Sequence, residues 1–179
     1  MSEKIITNQE ISSQKLEFAR KIILELQQEL PSHIAQGSGP FLAAIYNNEG
    51  RLIAKQANSV INESCSNNHA EINTIKMAEK SLDTYDLSPY NLSLYVTAEP
   101  CMMCLGAIMW SGIKEIYYGV PSRQVEVITG FDEGFKPDWF EEFKKRGITV
   151  CGNIEVEAGT KVLQSYVDQN RTVYKPQRN

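Results

Sequence analysis

A chain of 179 residues, 42% apolar and 22% charged, has the size and composition of one domain with a single sizeable core. Its net charge of −4 and pI of about 5.3 lack the basic footprint of a nucleic-acid binder. There is no secretory signal in "MSEKIITNQE", no apolar run near the roughly 20 residues that span a bilayer, and too few cysteines for a disulfide framework, so a cytoplasmic protein is expected.

Apolar residues at Leu16, Phe18, Ala19, Ile22, Ile23, Leu26 and Leu30 predict a helix over 11–30, closed by Pro31. "GSGP" is a loop, and "FLAAIYNNEGRLIAKQANSV" reads as two strands around a turn at Asn47-Asn48-Glu49-Gly50. "HAEINTIKMAEKSL" predicts a helix, "NLSLYVTA" a strand, "CMMCLGAIMWSG" a short apolar helix stopped at Gly112, and "KEIYYGV" a strand. Pro121 to Lys136 reads as a long loop, which is often functional. "PDWFEEFKKRG" predicts a helix, "ITVCGNI" a strand, and Ala158 to Tyr174 a last helix. Helices alternating with strands predict an α/β fold. A mixed five-stranded sheet would lie between two helical layers, with the strands on either side of "CMMCLGAIMWSG" parallel.

The chemistry concentrates in "HAE" and "PCMMC". Cys101 and Cys104 are three apart at a helix start, so both sulfurs can reach one ion, and the helix N-terminus favours thiolate. Alone, such a pair could be a redox couple, half of a structural zinc site or two buried small residues. A third ligand could come from Cys65, Cys151, His33 or His69. His69 is favoured because it too opens a helix that follows the sheet, and such helix starts share one rim. Three protein ligands with one open position is the pattern of catalytic zinc. Glu71, two residues from His69, would then serve as a proton carrier. H-x-E followed about 30 residues later by P-C-x-x-C is the zinc deaminase signature.

On these motifs the chain resembles the cytidine and deoxycytidylate deaminase superfamily. Within it, "GSGPFLAAI", "EPCMMCLGAIMWSGI", "ITGFDEGFKPDW" and the Asn of "QANSV" are most similar to guanine deaminases of bacterial type. Deaminases acting on tRNA usually carry an Ala-Arg-Asp-x-Lys-x-Gly segment where this chain reads "GVPSRQVEVITG".

The resemblance implies one zinc ion per chain on His69, Cys101 and Cys104, with Glu71 shuttling protons and Glu133 as a second catalytic acid. It implies a substrate site of Phe41, Asn58, Ala70, Trp110, Asp132 and Tyr174, in which Asn58 holds the base and Phe41 and Trp110 wall the pocket. It also implies one deaminase domain over residues 1–179 and a homodimer, in which a C-terminal segment of about 155–179 can be exchanged so that Tyr174 closes the partner's site. The implied reaction is guanine plus water to xanthine plus ammonia. The alternatives are another deaminase substrate (a nucleoside, a pterin, a triazine such as ammeline, or the wobble adenosine of tRNA) or a zinc module without catalysis.

Overall fold

The computed structural model describes residues 4–174. Six strands form one mixed sheet: β1 (Ile6–Thr7), β2 (Leu42–Tyr46), β3 (Leu52–Ala57), β4 (Ser93–Ala98), β5 (Glu115–Val120) and β6 (Thr149–Gly152). Their spatial order is β1-β6-β5-β4-β2-β3. β4, β5 and β6 run parallel, while β2 is antiparallel to both β3 and β4. The expected parallel pair is therefore present.

Alternate residues of each strand enter different cores. Leu42 and Ala44 join Tyr95, Tyr117 and Cys151 beneath helix α1 (Ser13–Ala35), which contributes Ile22, Ile23, Leu26, Leu30 and Ile34. Helix α6 (Val156–Asp168) adds Tyr166 on that face. Ala43 and Ile45 join Leu94, Val96, Ile116, Tyr118 and Val150 on the opposite face. That face is covered by α2 (Ala70–Leu82), α3 (Met102–Ser111) and α5 (Trp139–Lys145). Burial on both sides explains why "LAAI" and "YV" show no polar alternation.

Four expectations change. The sheet has six strands instead of five, because two-residue β1, too short to carry a period, pairs with β6. Helix α1 runs through Pro31 to Ala35. Pro31 is exposed and Ile34 is buried beyond it, so packing outweighs the lost backbone bond. The expected loop after Pro121 contains a helix, α4 (Ser122–Thr129), which Gly130 ends with φ +66°. Val125 of α4 packs with Ala98, Val120 and Leu163, and this contact overrides the weak helix propensity of its β-branched residues. The last helix starts at Val156 and ends at Asp168, since the polar "QNRT" that follows has no face to bury and Asn170 turns with φ +53°.

Close packing at the β5–β6 pair leaves no room for a side chain at Gly152, where an added Cβ would lie 2.0 Å from the Tyr118 ring. Gly152→Ala should lose about 1–3 kcal/mol of stability, read as an earlier urea midpoint.

Candidate active site

β3 is antiparallel to β2 and β2 to β4, so β3 and β4 point the same way. The helices that follow them therefore begin at one rim. His69 is the N-cap of α2 and Cys101 the N-cap of α3, both extended, and neither side chain caps its own helix. N-caps are usually Ser, Thr, Asp or Asn bonded back to the helix. Here the two side chains point away and meet. His69 Nδ1 is 3.5 Å from Cys101 Sγ and 3.7 Å from Cys104 Sγ, and the two sulfurs are 3.6 Å apart.

A tetrahedral zinc with bonds of about 2.3 Å to sulfur and about 2.0–2.1 Å to nitrogen needs ligand atoms about 3.5–3.8 Å apart, so these donors fit it. Among the described residues these three form the one such donor group. Cys65 instead bonds Asn67, Cys151 is buried in β6 and His33 lies in α1. All four cysteines are free.

The donors are electrostatically coupled. The hydrogen bond from Cys104, aided by His69 and opposed by burial, pulls the Cys101 thiol down to about 4. The same bond and burial push Cys104 well up. Burial disfavours the imidazolium of His69, but its bond to Cys101 and the charges of Glu71, Cys101 and Glu133 raise its pKa overall.

Glu71 is the second residue of α2 and 6% exposed. It shares a cavity with Phe41, Asn58, His69, Glu99, Cys101, Phe131 and Glu133. Burial and the negative Cys101 push its carboxyl up to about 7, with His69 pulling it back. A bound cation would pull it further down.

Two of the expected substrate residues take their places on this cavity. Phe41 and Asn58 line it, and they also line a neighbouring cavity bounded by Phe131, Tyr166, Val173 and Tyr174. Asn58 is buried; its Oδ1 accepts from the Val60 N–H at 3.2 Å and its own N–H donates to the Phe41 carbonyl. Asn73 of α2 clamps this region by donating to the carbonyls of Ala57 and Asn68 and to Ser59 Oγ. Glu133 reaches the metal-side cavity, and burial raises its pKa against the pull of Lys136. Asp132 is exposed and accepts from the Gly134 N–H at 2.8 Å, which shapes the turn. Tyr174 lies 6.5 Å from Phe131, ring to ring, on the cavity of its own chain.

Two expected residues are not among those lining these two cavities. Ala70 is fully buried in the core beneath α2. Trp110 is 84% exposed and lines neither of these two cavities. It lies nine residues beyond Cys101 in an α-helix that rises about 1.5 Å per residue, and so stands at the far end of α3. The sequence reading missed Phe131, 6.5 Å from the His69 ring, and the group Glu99, Ser122 and Lys136. Their signal was proximity to known motifs: Glu99 precedes Pro100-Cys101, and Phe131 and Lys136 flank Asp132-Glu133.

Two substitutions probe this geometry. Cys101→Ala should lose nearly all zinc by elemental analysis, since two remaining ligands hold a tetrahedral ion poorly. Gly39→Ala should displace Asn58, because the new Cβ would lie 2.7 Å from Asn58 Oδ1. The expected signature is a lower thermal midpoint with zinc content unchanged.

The family model for the cytidine and deoxycytidylate deaminase zinc-binding region matches residues 13–120. Guanine deaminase of Bacillus subtilis is 38% identical over 97 residues, 54% of this chain and 60% of that protein. A tRNA-specific adenosine deaminase of Buchnera aphidicola is 30% identical over 130 residues, 73% of this chain and 82% of that protein. The solved structure of a mutant of NE0047 in complex with 8-azaguanine superposes with a TM-score of 0.82 at 32% identity, covering 94% of this chain and 90% of that one. Metal-ligand geometry, family model and relatives agree, and the chain belongs to the cytidine and deoxycytidylate deaminase family of zinc-binding proteins.

Proposed function

We propose that this protein is a zinc-dependent guanine deaminase that converts guanine and water to xanthine and ammonia. The observation that carries the reading is one buried cavity holding two metal ligands, His69 and Cys101, with Glu71, Asn58 and a second acid, Glu133. A zinc ion that only braced the fold would need no carboxylate buried beside it. Guanine is favoured because one relative is a guanine deaminase and the NE0047 structure holds a guanine analogue. The net charge of −4 also suits a small base better than tRNA, whose binding draws on phosphate contacts.

Zinc on His69, Cys101 and Cys104 would supply Lewis acidity and lower the pKa of water at its fourth position. Glu71 takes a proton from the attacking water and returns it to ring N3. A carboxyl group whose pKa lies near 7 can both accept and donate at neutral pH. Glu133 stands to protonate the departing amine at C2. Asn58 hydrogen-bonds the base, and Phe41 and Phe131 pack against its ring. Asp132 supports Glu133 from behind by fixing the turn.

The two cavities measure about 20 and 50 Å³, well below the size of ordinary ligand pockets. Entry of a purine therefore requires the Phe131 loop or the Tyr174 segment to give way. Exchange of the C-terminal segment of about 155–179 between subunits would bring the partner's Tyr174 to the same place.

The homodimer belongs to the same reading. Met102, Met103, Met109 and Trp110 leave α3 with an exposed apolar outer face, and a second copy of the chain is its occupant. No described helix is long and apolar enough to cross a membrane, and four free thiols suit a reducing compartment such as the cytoplasm.

Ammonia release over guanine, adenosine, cytidine and tRNA tests the activity. Guanine should lead the panel, with Glu71→Gln losing about 10³-fold in turnover and keeping its zinc. Inosine formation in tRNA without xanthine from guanine would replace this reading with the tRNA enzyme. Light scattering should give a dimer that Trp110→Glu converts to monomer.

A further inference from the structure

Glu133 sits in a segment with little stiffness of its own. Gly130 and Gly134 flank it with φ of +66° and +77°, backbone angles that other residues rarely adopt. Three groups hold it in place. Glu126 Oε1 accepts from its N–H at 3.2 Å, Ser122 Oγ donates to its Oε2 at 2.6 Å, and Lys136 Nζ donates to the same oxygen at 2.7 Å.

Ser122 and Lys136 both carry this hold on to the metal loop, and Lys136 is the one that brings a charge. Its Nζ also contacts Ser122 Oγ and lies 3.4 Å from Glu99 Oε1. Glu99 stands two residues before Cys101 and is itself fixed, accepting from the Ser122 N–H at 2.9 Å and from Trp139 Nε1 at 3.3 Å. The Lys136, Glu133 and Glu99 side chains are only 13%, 5% and 14% exposed. Such a bridge is poorly screened by solvent, and removing its cation leaves carboxylates facing each other.

We propose that Lys136 is a positioning residue for the deamination reaction, holding Glu133 over the pocket by bridging it to Glu99. The proposal rests on the reading of Glu133 as the acid that serves the leaving amine. Without the ammonium, repulsion between Glu133 and Glu99 acts on a loop with a glycine hinge on each side, and Glu133 leaves its working position. The loss falls on turnover, because the lysine itself lines neither cavity of the site.

A double-mutant cycle tests this. Lys136→Met and Lys136→Arg are made in the natural chain and in Glu133→Gln, and kcat, KM for guanine and zinc content are measured. In the natural chain Lys136→Met should lower kcat about 10- to 100-fold with KM little changed, and Lys136→Arg should restore most of it. In the Glu133→Gln background Lys136→Met should change kcat less than about twofold, since its target is gone. Lys136→Gln replaces the methionine variant if that one is recovered poorly. An equal cost in both backgrounds, or natural turnover in zinc-loaded Lys136→Met, overturns the proposal. If Glu133→Gln alone turns over guanine normally, the role of Glu133 falls, and the role of Lys136 falls with it.

Discussion

The arrangement of this site depends on three atoms meeting within 3.7 Å: His69 Nδ1, Cys101 Sγ and Cys104 Sγ. They arrive from two segments that share no local sequence. The β2–β3 hairpin reverses the chain and sends α2 off from the rim at which β4 delivers α3. Had β3 run the other way, His69 would start its helix at the opposite end of the sheet. The N-cap positions matter equally. A serine or aspartate there would turn back to bond its own helix, whereas histidine and cysteine extend outward and leave the helix N–H groups to favour negative charge nearby.

Substrate recognition is built outward from that corner by backbone approach. Gly39 lets the chain pass so close to Asn58 that a Cβ there would push its side chain aside, and the Phe41 carbonyl accepts from the Asn58 N–H. Asn73, on the helix that His69 opens, donates to the carbonyls of Ala57 and Asn68 that bracket the Asn58 loop. The group proposed to hold the base is thus anchored to the same helix as a metal ligand and the first proton carrier. Movement of one displaces the others, which suits a reaction requiring ring atom, water and acid in register.

The metal ligands and Glu71 were legible because ligand chemistry demands particular residue types at particular spacings, and a helix start converts spacing into direction. The layers were legible from apolar periodicity. What was illegible depended on contacts between distant segments. Helix α4 exists because Val125 finds Leu163 of α6, and nothing inside "SRQVEVIT" announces that partner. Helix α1 outlasts Pro31 because Ile34 has a core to enter. Trp110 was named from the likeness to guanine deaminases, and nine residues of helix carry it to the exposed end of α3. Choosing Glu133 over its neighbour came from the likeness to guanine deaminases; Glu133 lines the metal-side cavity, and Asp132 accepts from the Gly134 N–H.

Two acids in one cavity become useful when their surroundings differ. Glu71 has no lysine or arginine among the groups that shift its pKa, and burial carries it to about 7. Glu133 is also pushed up by burial, but the ammonium of Lys136 and the hydroxyl of Ser122 oppose that push and favour its charged form. The two therefore need not compete for one proton at the start of a cycle. One can exchange protons between water and ring while the other, its pKa held up by burial, keeps a proton for the departing amine. This division comes from neighbours that lie far from the zinc motif in sequence: Ser122 at the start of α4 and Lys136 three residues beyond Glu133. The same motif on the same fold can thus serve different amines, because the loop that brings the second acid and its counter-charge varies independently of the metal centre.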